Sequence, residues 1–224
     1  MDPGPHPVRM ALPGIISAGA VLAAGLVTLP LFDLGPLSLH MAVHLAVMNV
    51  AAPLSAIVLA RRLPAVARRP ALFWAAGLVQ IVLLWAWHAP SMQQAAAAST
   101  GLHLVMLASL TLASLFFWAL LLGAAATARW RAIAALLLTG KLACLLGGLL
   151  IFAPRELYGL PGFSFMICSV GPSTLADQQL AGLLMITACP LSYVVAGVVI
   201  AAQFLADLER KGGARGAYPI VASG

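Results

Sequence analysis

The sequence predicts an all-α fold, a polytopic transmembrane helix bundle of about six spans with both termini cytoplasmic. Three observations lead there. Of 224 residues, 62% are hydrophobic and 8% charged, far outside the composition of a soluble domain. Six apolar runs each approach the roughly 20 residues needed to cross a hydrocarbon core. Basic residues also collect in alternate connections. The whole chain, 1–224, reads as a single integral membrane domain, because the short connections leave little length for anything else.

The first run, 10–31, follows Arg9 and ends just before Asp33. It exceeds the roughly 7–15 apolar residues of a secretory signal and reads as a retained helix. The second, 37–60, opens with His40 and His44, and its Asn49 and Pro53 are expected to disturb the helical ladder. The third, 71–87, closes in WAWHAP, where Pro90 stops the helix and Trp85 and Trp87 read as an interfacial aromatic belt. An uncharged loop containing Met92 leads to the fourth, 100–123, which opens with His103; so short a link makes the third and fourth antiparallel neighbours.

The fifth run, 131–152, carries Lys141 at its centre, roughly 15 Å from either end. An ionisable group there costs about 2.5–3.5 kcal/mol on insertion scales, so Lys141 is expected to face the interior and brace the bundle. Backbone carbonyls, Asn49 or Gln80 would solvate it. The sixth run, 178–206, is opened by Asp177 within GPSTLADQQLAG and contains Pro190. Small residues in LGGLL and AGLL allow close helix approach, which matters in lipid because apolar burial does not drive association there.

Charge sets the orientation. With a cytoplasmic N-terminus, the inner segments hold Arg9, Arg61, Arg62, Arg68, Arg69, Arg129, Arg131, Arg210, Lys211 and Arg215, and the outer side only Arg155. Basic segments stay inside. The net charge of +6 matters less than this distribution: the stretch RRLPAVARR reads as a topology anchor against anionic membrane lipids, and no nucleic-acid partner is expected.

That orientation gathers His40, His44, His88 and His103 at the outer face. His40 and His44 stand four residues apart on one helix face, about 6 Å from each other. Two imidazoles so placed can share one metal ion. Met48 continues the stripe one turn deeper, and its thioether suits a soft ion such as Cu(I). Interfacial histidines bonded to headgroups, water or carbonyls are the plainer alternative. Asp177 and Asp33 each read as a helix cap or as a metal ligand or support for one. Cys144 and Cys189 read as packing within spans, and Cys168 in the outer loop reads as a free thiol or a soft metal ligand; none has ligand spacing.

No nucleotide loop, Ser–His–Asp set or pair of intramembrane carboxylates is present, which argues against an acid–base or nucleophilic enzyme. A haem-binding electron carrier would use axial imidazoles from two facing helices, His44 and His103, but all the clustered histidines lie toward one interface. A transporter would need polar groups along a central path, and only Lys141, Asn49, Gln80 and scattered hydroxyls are central.

The stretches HMAVHLAVMNVAAPL, WAWHAP, the FFW of the fourth run, LLIFAPRELYG and LADQQLAGLLM occur in an order that resembles the CtaG family of polytopic cytochrome c oxidase assembly factors, over about residues 36–205. The resemblance implies a non-enzymatic role in assembling a haem–copper oxidase in the bacterial inner membrane, beside oxidase subunits or other assembly factors. It implies copper handling at the outer, periplasmic face, with His40, His44, His88 and His103 as ligands and Asp177 in support. Family members often show a further histidine where this chain has Leu107, which leaves the site either poorer or completed by the soft donors Met106 or Met92. The longer members also have one more span.

Overall fold

The computed structural model describes residues 34–60, 70–159 and 173–216, together with Ala20 and Ala24. The predicted first span, Asp33, the RRLPAVARR stretch and Cys168 lie outside the described residues. Every regular element among those described is helical.

Helix α1 spans Pro36–Ala60 and is continuous through one π-helical turn at Val47–Ala51. Helix α2 is Pro70–Trp87, α3 is Pro90–Ala98 and α4 is Thr100–Leu122. Helix α5 covers Arg129–Phe152 and α6 covers Leu175–Gly216. Four of them, α1, α4, α5 and α6 as far as Arg210, are long and apolar enough to cross a membrane. The pair α2–α3, bent by 73°, makes a fifth if taken as one broken span. These helices match five of the six predicted runs to within a few residues at nearly every boundary.

Proline explains the local breaks. Pro53 lacks the N–H that would bond back to Asn49, and the helix widens into its π turn over that stretch. Pro90 stands at the first position of α3, where a missing N–H costs nothing. The segment predicted as a loop around Met92 is thus a short helix. Its Ala-rich sequence PSMQQAAAA has the propensity for one.

Packing builds one core. α5 and α6 share the most extensive interface, α1 packs between α4 and α6, and α2 lies on α4 and α5. At the α5–α6 crossing, a Cβ added to Gly182 would sit 2.7 Å from the Gly147 carbonyl oxygen, so this approach requires glycine. Deeper in the core, Trp118 stacks on Tyr193 with centroids 5.4 Å apart. Trp118 Nε1 and Ser114 Oγ both donate to the Met48 carbonyl released in the π turn, at 3.1 and 2.9 Å. At the far end, Arg129 pairs with Asp207, joining the start of α5 to α6.

Two expectations are overturned. Lys141 is exposed rather than interior, and lines an outward groove of about 670 Å³ between α5 and α6 with Gly140, Cys144, Pro190 and Gly197. The groups expected to solvate it are engaged elsewhere: Asn49 Oδ1 accepts from Ser192, and Gln80 Nε2 donates to Tyr193. The tryptophans of WAWHAP are also not a simple belt. Trp87 is buried and donates to Ser109 Oγ of α4 at 2.9 Å, and half-buried Trp85 donates to the Leu142 carbonyl of α5 at 3.3 Å.

Candidate metal centre

The site begins with how the start of α1 is held. Its N-cap is Gly35, which has no side chain to satisfy the first N–H groups. The carboxylate of Asp177 does so from the start of α6: Oδ2 accepts from the Leu37 N–H and Oδ1 from the Ser38 N–H, each at 2.9 Å. Ser38 Oγ returns a bond to the Asp177 carbonyl at 3.0 Å. A Cβ on Gly35 would fall 2.2 Å from Asp177 Cγ, so glycine is what admits the carboxylate. The cap anticipated from the sequence therefore serves α1 rather than Asp177's own helix. There Thr174 Oγ1 takes that part, accepting from the Asp177 N–H at 3.1 Å.

The two residues after Asp177 fasten other segments. Gln178 accepts from the Leu157 N–H at 2.7 Å and donates to the Leu150 carbonyl at 3.1 Å. Gln179 donates to the Ile151 carbonyl at 3.4 Å. The stretch DQQ is thus a joint between α6, the start of α1 and the end of α5.

On α1 so anchored, His40 and His44 lie with ring centroids 4.1 Å apart. His103, in the first turn of α4, is 5.6 Å from His40. His88, at the α2–α3 bend, is 6.1 Å from His44. The four predicted histidines do come together, from three separate parts of the chain, and all are buried. As they stand, no three His, Cys, Asp or Glu side chains among the described residues form metal-holding geometry.

The donor set nonetheless fits a soft or borderline cation. His44 is 4% exposed, yet neither ring nitrogen has a hydrogen-bond partner. A buried polar group left so typically costs about 1–3 kcal/mol. Beside it lies a cavity of about 20 Å³, lined among others by His44, Met48, Asn49, His88, Met185 and Cys189. That volume admits one small guest. Of the methionines predicted as soft ligands, Met48 borders this cavity, Met106 is fully buried a turn beyond His103, and Met92 is exposed on α3.

Several residues at the site were not singled out from the sequence. Gln93, fully buried on α3, places Nε2 3.4 Å from His40 Nε2. Tyr158 donates to the His88 carbonyl at 2.9 Å, and Gln94 donates to the Tyr158 carbonyl at 2.9 Å. Burial pushes the Tyr158 phenol up, keeping it a donor. The sequence signal for Gln93 was the Pro-initiated, Ala-rich run; for Tyr158 there was none beyond its place in the quoted LLIFAPRELYG stretch.

Fold and site together define a helical membrane protein with a buried imidazole cluster assembled at helix ends. Comparison with protein families gives the particular group: the family model described as cytochrome c oxidase caa3 assembly factor (Caa3_CtaG) matches residues 14–207, and the chain belongs to this family. No curated protein and no solved structure matches it.

Proposed function

We propose that this protein serves assembly of a haem–copper oxidase by holding copper transiently in the imidazole cluster at the periplasmic face of a bacterial inner membrane. The single observation that carries the reading is His44: a buried imidazole with both nitrogens unpartnered, among three others contributed by α1, α4 and the α2–α3 bend. A carrier must release its ion. A site of imidazole and thioether donors without a thiolate pair suits that need. Copper is here cargo, and the chain's task is to orient ligands and exclude competing groups. The Asp177 cap fixes the α1 turn that bears His40, and Tyr158 holds the carbonyl of His88.

The six-span topology with cytoplasmic ends belongs to the same reading and rests on the basic segments. A haem carrier is less well supported, because the cavity beside His44 is about 20 Å³ while cofactor pockets run to several hundred. The deciding experiment is metal analysis with an optical spectrum on detergent-purified wild type and His40→Ala/His44→Ala. Near-stoichiometric copper in the wild type, lost in the variant and without a Soret band, is the expected result. A Soret band, or no copper together with normal oxidase assembly in the variant, would overturn it.

A further inference from the structure

His88 has its tautomer fixed by its surroundings. Its Nδ1 lies 2.6 Å from the Leu84 carbonyl oxygen. A carbonyl only accepts, so Nδ1 carries the proton. With the ring neutral, Nε2 then bears a lone pair, and that lone pair faces Met41 Sδ at 3.4 Å. The thioether is itself an electron donor. Two donor atoms therefore confront each other in the interior with no hydrogen between them.

Both residues line the cavity of about 20 Å³, as does His44 with its two unpartnered nitrogens. Gln80 Oε1, another buried acceptor without a partner, belongs to a residue of the same wall. The residues bordering the cavity thus carry unfilled acceptors, Gln80 Oε1 and the one His44 nitrogen that bears no hydrogen. A cation satisfies several of them at once.

We propose that Met41 Sδ and His88 Nε2 are two ligands of one soft monovalent cation, Cu(I), on the cavity side of the cluster, with His44 completing the set. With bond lengths like those of tetrahedral zinc sites, about 2.0 Å to nitrogen and about 2.3 Å to sulfur, two ligand atoms of one ion stand about 3.5 Å apart, close to the 3.4 Å between His88 Nε2 and Met41 Sδ. Thioether donation selects Cu(I) over divalent ions. Both ligands bind without losing a proton. This inference rests on the copper reading above and deepens it, assigning the oxidation state and a methionine that the HxxxH pattern does not point to.

The test is anaerobic loading of full-length, selenomethionine-labelled protein with Cu(I), followed by X-ray absorption at the copper edge. A nitrogen-and-selenium shell is expected. Met41→Leu should lose the selenium and bind Cu(I) at least tenfold more weakly against a colorimetric chelator. Met48→Leu/Met185→Leu, which leaves Met41 in place, should keep the selenium shell, and it decides the matter if Met41→Leu does not fold. A nitrogen-only shell, or selenium lost in the double variant, overturns the Met41 assignment while leaving copper at the imidazoles intact. Wild type that takes up no copper in any state removes the copper reading itself.

Discussion

An α-helix that starts inside a protein leaves N–H groups that water cannot satisfy, and α1 is rescued by a carboxylate from 140 residues away. Hydrogen bonds to a charged acceptor contribute about 1.5–3 kcal/mol. Asp177→Ala removes two such bonds and is therefore expected to lower stability by about 3–6 kcal/mol in detergent unfolding curves, and Asp177→Asn by less, since one acceptor oxygen survives. Gly35→Ala should destabilise comparably, because its methyl group meets the carboxylate. Tyr158→Phe should cost about 1 kcal/mol by freeing the His88 carbonyl. The HxxxH pair was legible because i,i+4 spacing guarantees a shared face. The Asp177 bonds were not, since no local pattern says which distant N–H groups a carboxylate will meet.

At the scale of the element, the sequence shows two adjacent glycines in LGGLL without saying which is indispensable. The crossing of α5 and α6 separates them: a Cβ on Gly147 meets Ile186 Cγ1 at 2.9 Å and the Gly182 carbonyl oxygen at 3.0 Å, whereas Gly148 has nothing within 4 Å. Gly147→Ala and Gly182→Ala should each cost about 1–3 kcal/mol through forced separation. Gly148→Ala should be neutral or slightly stabilising, given alanine's helix propensity. Equal effects at 147 and 148 would contradict this packing. Lys141 was misread for a related reason. Periodicity in an almost wholly apolar helix does not reveal its inner face, and energetic cost alone pointed inward. Because Lys141 is exposed and lines the outward groove, Lys141→Met should leave folding and helix packing unchanged, as measured by melting temperature and gel filtration.

For the whole molecule, composition alone sufficed to mark apolar helices, and five of the predicted runs appear as helices at nearly the expected bounds. What it missed was the 73° bend between α2 and α3, because the Pro90 segment is too short and too polar to register as a span. Orientation can be tested directly. In a background without native cysteines, Ser99→Cys before α4 should react with an impermeant thiol reagent from the periplasm. Thr127→Cys before α5 should react only after the membrane is opened. The reverse pattern would invert the topology and move the imidazoles to the cytoplasm.

The DQQ joint also bears on the order in which the chain is made. All four clustered histidines have been synthesised by residue 103, yet the carboxylate that closes the start of α1 arrives only at residue 177. Until then the histidine-bearing turn has an open end. The nascent protein consequently carries all four imidazoles through 74 further residues of synthesis without the final clasp, and the start of α1 is closed only when α6 is in place.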